Sequence, residues 1–160
     1  MKNFIKLGLI FILFQTVTSF TNNYQNKLKT GFYYLADSEE QATMIKDVDS
    51  DMIFGVDRNE FLTVDDFSAV NYKTINTEPI PLKVIELKFT KEGRKKWANS
   101  VKKISASGES IVFVCNDKVY LEKRIYDFSN KEHSNIYLAI DKQHQEFIFN
   151  TIKSEIKEKR

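Results

Sequence analysis

Gly31-Phe32-Tyr33-Tyr34-Leu35 opens the patterned part of the chain as an aromatic-rich block that predicts a strand. Ser38-Glu39-Glu40-Gln41 follows with the spacing of a capping box, and Ala42, Ile45 and Val48 would form the inner face of a helix of about ten residues. Met52 to Val56 and Glu60 to Val64 predict two short strands on either side of Asp57-Arg58-Asn59. Asp65 is placed to cap a brief helical turn that buries Phe67 and Val70. Residues 71–81 hold both prolines and no clear period, which predicts a connection and the boundary inside the domain.

The second half is more regular. Leu82 to Phe89 alternates as a strand, and Thr90 caps a helix with Glu92 in its first turn, where the helix dipole favours a negative charge. Trp97, Ala98, Val101 and Ile104 fall on one face of that helix, while Lys95, Lys96, Lys102 and Lys103 lie mostly off it. Ile111 to Cys115, the turn Asn116-Asp117 and Lys118 to Leu121 predict a β-hairpin, followed by a looser stretch over 122–132. Asn135 to Ile140 predicts a further strand, and Asp141 caps a last helix carrying Phe147, Ile148, Ile152 and Ile156. The expected fold class is α+β, a mainly antiparallel sheet with its helices packed on one face.

The N-terminus changes the picture of where this domain works. Lys2 and Lys6 precede the apolar run Leu7 to Phe14, and Val17-Thr18-Ser19 supplies side chains suited to a peptidase. That order predicts a Sec-type leader over 1–19, removed on export, because the apolar run is too short to span ~30 Å of hydrocarbon. Cys115 is the sole cysteine, so no lipid is attached at the cut and no internal disulfide forms. Residues 20–30 read as a flexible lead-in, 31–80 as an N-terminal subregion and 81–160 as the regular α+β region. The product is expected to be periplasmic or secreted, with no stable transmembrane anchor. Lys2 and Lys6 leave with the leader, so 24 basic residues become 22 against 22 acidic ones. A near-neutral exported domain is a poor candidate for nucleic-acid binding.

Candidate chemistry is sparse. Asp47, Asp49 and Asp51 alternate as at the start of a calcium loop, but Met52 replaces the required glycine and Arg58 the required bidentate glutamate. What remains is a solvated acidic loop or a simple surface calcium site. Cys115 ends the run from Ile111 and reads as a buried strand residue; neither His133 nor His144 is placed beside it by a local motif. Asp65-Asp66 and Glu39-Glu40 are adjacent in sequence and read as caps and first-turn charges, not as an acid with its base. No phosphate loop, nucleophile elbow or zinc-protease motif occurs, and no cofactor is expected.

Leu87-Lys88-Phe89-Thr90-Lys91-Glu92-Gly93-Arg94-Lys95-Lys96-Trp97 joins an apolar strand to a Thr-x-Glu-Gly helix start with an aromatic four residues on. Ile111-Val112-Phe113-Val114-Cys115-Asn116-Asp117-Lys118-Val119 adds a second strand, a tight turn and a returning Val. With Ile125, Ile136 to Ile140 and, upstream, Phe61-Leu62-Thr63-Val64-Asp65-Asp66-Phe67, this ordered set resembles the head subdomain of the first periplasmic domain of SecD and SecDF, subunits of the bacterial protein-export machinery. The resemblance centres on 82–140. Two departures stand out: Arg124 where the family commonly has a proline, and Lys131-Glu132-His133-Ser134 in place of a Gly-rich approach to the later strand. No transmembrane helices follow before Arg160, so the proton-coupled work ascribed to SecD's membrane part is not expected here. What the resemblance implies is binding of extended polypeptide or an envelope protein, without catalysis. An exposed strand edge near 111–121, with Val119, Tyr120 and Leu121 as candidate contacts, or the segment 122–135, would offer backbone pairing to such a partner. The alternative is a small-ligand or calcium-binding envelope protein using the carboxylates at 47–51.

Overall fold

In a computed structural model the residues described are 27–76, 78–107, 110–124 and 134–159. The leader expected over 1–19, Ile125, His133 and most of the segment 122–135 fall outside them. Among the described residues eight strands form two sheets, accompanied by two long helices. Strands β1 (Gly31–Leu35), β2 (Ala42–Asp47), β3 (Ile53–Thr63), β6 (Ser110–Cys115) and β7 (Lys118–Arg124) close into a barrel in the order β1-β3-β2-β7-β6. Strands β4 (Phe67–Ile75), β5 (Leu82–Phe89) and β8 (Asn135–Leu138) form an antiparallel sheet with β5 in the middle. Helix α1 (Lys91–Ser107) follows β5, and α2 (Lys142–Glu158) follows β8.

The apolar run of β6 is continuous because both of its faces are buried. Val112 and Val114 enter the barrel interior with Tyr33, Ile45, Val56 and Val119. Ile111, Phe113 and Cys115 face the other way, into a larger core. That core joins the barrel wall (Phe32, Phe61) to the three-stranded sheet (Ile85, Leu87, Ile136, Leu138) and to both helices (Trp97, Val101; Ile148, Ile152). The expectation of helices on one face of a single sheet is therefore corrected. The chain is mostly sheet, a closed barrel and a second small sheet, and both helices bury their apolar stripes in the core the two share.

Four local expectations also change. Residues 38–41 form a tight turn, not a helix start, with Gln41 N–H donating to the Ser38 carbonyl at 3.3 Å and Ala42 N–H to that of Glu39 at 3.2 Å. Ala42 to Asp47 is a strand paired with β3, and Ala42 and Ile45 are its buried residues. That three-residue spacing of buried positions mimics a helix face, but β-sheet pairing with β3 satisfies the backbone. The two short strands expected around Asp57 are one strand, β3, which bends there: Asp57 Oδ1 accepts the Asn59 N–H at 2.8 Å, and the register to β1 shifts across the same stretch. The turn at 64–66 is capped by Thr63 and not by Asp65. Thr63 Oγ1 accepts the Asp65 N–H, while Asp66 Oδ2 accepts the Thr63 N–H, a reciprocal box. Finally, the first part of the expected connection at 71–81, up to Ile75, belongs to β4, a neighbour of β5 from Phe67↔Phe89 to Ile75↔Leu82.

The hairpin, the 82–89 strand and α1 stand where the pattern puts them. Asn116 and Asp117 both take positive φ, 48° and 57°, the geometry of a two-residue turn whose twist suits a hairpin. Thr90 Oγ1 accepts the Gly93 N–H at 3.0 Å and caps α1. A side chain at Gly93 would drive its Cβ into the Asp66 carbonyl, and Thr90 N–H donates to that same carbonyl at 2.8 Å. The two motifs Phe61–Phe67 and Thr-x-Glu-Gly thus meet in space. Asp141 precedes α2 without a side-chain cap; its backbone carbonyl accepts the His144 N–H at 2.9 Å. On α2, Phe147 is 46% exposed, and Gln145 takes a buried place beside Ile148, Ile152 and Ile156.

Candidate functional site

The carboxylates at 47–51 sit in the β2–β3 turn, and each has a different task. Asp47 Oδ1 accepts the Asp49 N–H at 3.0 Å, as Asx turns do. Asp49 Oδ1 lies 2.8 Å from His144 Nε2 and 3.0 Å from Gln143 Nε2, tying the turn to the start of α2. Asp51 pairs with Lys46 at 2.6 Å. Among the described residues no group of three or more His, Cys, Asp or Glu side chains is placed to hold a metal ion.

Of the three hairpin candidates, Val119 is fully buried in the barrel interior, and its carbonyl accepts the Val48 N–H at 2.9 Å. Tyr120 is half-buried, with its ring edge-on to His144 at 5.4 Å and near Phe147 at 6.4 Å. Leu121 lies on the β7 backbone, opposite Phe113. Strand β6 has β1 on one side and β7 on the other, so residues 111–115 offer no free edge. Strand β7 pairs with β2 only at Lys118 and Val119. Beyond that point the outer side of β7 has no strand neighbour among the described residues, and the open edge is shorter and later than the sequence suggested.

Burial pushes the Cys115 thiol up to about 11, and Thr30 Oγ1 stands 3.8 Å from the sulfur. A thiol held neutral and enclosed is a poor nucleophile. Of the lysines on α1, Lys96 reaches back to the buried Asp66 at 3.0 Å and Lys95 pairs with Glu92 at 3.2 Å; the first locks α1 onto the 64–66 turn. Asp65 is held below its ordinary value by hydrogen bonds from Lys159 and then Lys29, which join α2 and the lead into β1 to the same turn.

The feature that sequence reasoning missed is a groove of about 920 Å3 between the open ends of β4 and β5 and the first turns of α2. Tyr72 and Phe149 stack along it, with ring centroids 4.2 Å apart and 13° between planes. The Lys83 ammonium lies 3.9 Å over the Tyr72 ring. Ile80 and Leu82, 73% and 44% exposed, continue the apolar wall. Gln145 closes the floor. Its signal in the sequence was a polar residue three before Ile148 on an apolar stripe, which by itself reads as a solvated position.

No helix among the described residues is long and apolar enough to cross a membrane. No protein-family model and no curated protein matches the sequence. Among solved structures the chain is similar to a crystal structure of SecDF in a super-membrane-facing form, with a TM-score of 0.53 and 17% identity over 78% of this chain. The match takes up 18% of the SecDF chain, so the likeness is to one part of a much longer protein. The chain has a SecDF-like fold.

Proposed function

We propose that this protein is an exported, non-enzymatic binding module that contacts extended polypeptide in the cell envelope. The observation that carries the reading is the SecDF-like fold over 78% of the chain. The polar side chains fit a binding role better than catalysis. Asp66 and Asp65 hold the 64–66 turn to α1 and α2, Asp51 pairs with Lys46, and the Cys115 thiol is buried and neutral. A binding module needs no activated nucleophile; it needs exposed apolar surface and unpaired backbone partners.

Exposed apolar side chains are present in two groups. Met44, Met52 and Ile53 stand 56%, 60% and 60% exposed on the β2–β3 hairpin, and Ile80 and Leu82 line the groove. Methionine-rich surfaces adapt to varied partners because the side chain is unbranched and polarisable. The test is association of the purified protein with a reduced, carboxymethylated protein that cannot refold, against the same protein in its native disulfide-bonded form. Binding to the unfolded form alone is expected. Equal binding to both, or to neither, would remove the reading.

A further inference from the structure

We infer that the groove beside Gln145 is the seat for an uncharged, apolar stretch of extended polypeptide, with Gln145 Oε1 accepting a backbone N–H from it. This rests on the polypeptide-binding reading and adds a place and a chemistry to it.

Gln145 is 7% exposed, and its amide nitrogen donates twice, to the Lys83 carbonyl at 2.9 Å and to the Ile140 carbonyl at 2.8 Å. Both partners can only accept, so the amide has one orientation and its nitrogen is fully used. Oε1 is left over, and among the described residues nothing donates to it. No buried side-chain polar atom among those residues lacks a partner, so Oε1 must keep contact with solvent, and the groove that Gln145 lines provides it. A nearly buried acceptor, fixed in direction at the floor of a groove, is an anchor for a donor.

The walls define what carries that donor. Tyr72, Phe149, Ile80 and Leu82 offer aromatic and aliphatic surface, so the atoms beside the donor must be apolar. The rim charges are balanced, Lys83 and Lys142 against Asp141 and Glu146, and this neutrality complements an uncharged ligand and disfavours one with a strong net charge of either sign. An extended peptide with apolar side chains meets each requirement, because it presents a backbone N–H next to an apolar group at every second residue. Carbohydrate would bring donors without apolar flanks, and a lipid tail would bring apolar surface without a donor.

Anisotropy of a labelled, end-capped nonapeptide that alternates leucine and serine, titrated with the purified protein, tests this. Binding is expected, with affinity falling about tenfold for the same peptide N-methylated at alternate residues, since one buried hydrogen bond is worth roughly that factor. Leu82→Asp should weaken the parent peptide by a similar factor, and Gln145→Met should make the parent and N-methylated peptides bind alike. If Gln145→Met does not fold, the N-methylated peptide still removes the hydrogen bond with the protein untouched. Parent and N-methylated peptides binding alike to the unaltered protein, or Leu82→Asp binding as the unaltered protein does, would overturn the groove as the seat and leave polypeptide binding elsewhere intact. No binding of the parent peptide would also overturn it, and the unfolded-protein assay would then decide the broader reading separately.

Discussion

Gly93 concentrates the logic of this fold in one missing methyl group. It lies in the first turn of α1, against the Asp66 carbonyl, so even an alanine there collides with backbone that cannot yield. Gly93→Ala should lose about 2–3 kcal/mol in denaturant unfolding, more than its helix propensity returns. Cys115 makes a second prediction. With its thiol held near 11 by burial, it should resist thiol reagents at pH 8 in the folded protein and react only on unfolding. A raised folded value means that the neutral thiol stabilises the fold below the ordinary 9.0 and that this contribution fades as pH climbs through 11. Asp65 has the opposite sign. Its lowered value gives stability present above the ordinary 3.8 and lost as pH falls through the depressed one. Asp65→Asn should cost under about 1 kcal/mol at pH 7, because the pair is half exposed, and the difference from the unaltered protein should vanish at strongly acid pH.

Elements were legible where local chemistry and burial agree. The Asn116-Asp117 turn, the Thr90 cap and the strand 111–115 with a buried Cys115 all leave signatures within a few residues, and all three stand in the structure. β2 was hidden because Ala42 and Ile45 are buried three residues apart, which periodicity assigns to a helix; only the pairing of 42–46 with 53–57, set by β3 further along the chain, decides otherwise. β4 was hidden because its side chains are mostly half-buried or exposed, with no alternation to find. Thr63→Ala should confirm the reassigned cap, lowering stability by about 1 kcal/mol through loss of the bond to the Asp65 N–H. Val119→Pro should fail to fold, since the residue fills the barrel core and sits in a paired strand. A folded, stable Val119→Pro protein would contradict the barrel as described.

At the scale of the molecule, strands from both halves of the sequence contribute to both sheets, and the large core is where they meet. The candidate groove illustrates why a site can escape a sequence reading. It is assembled from Tyr72 on β4, Leu82 on β5 and Gln145 and Phe149 on α2, residues with no motif between them and no shared period. The fold-determining caps and turns, by contrast, were local and so carried the SecD resemblance, which the structural likeness to SecDF matches at the level of fold. Whether such a module handles extended chains is the central claim, and in-cell crosslinking addresses it directly. A photoreactive residue placed at Leu82 of the tagged protein, followed by mass spectrometry of the adducts, should trap many unrelated exported proteins through uncharged, apolar segments. No adducts, or adducts with one folded partner alone, would contradict it.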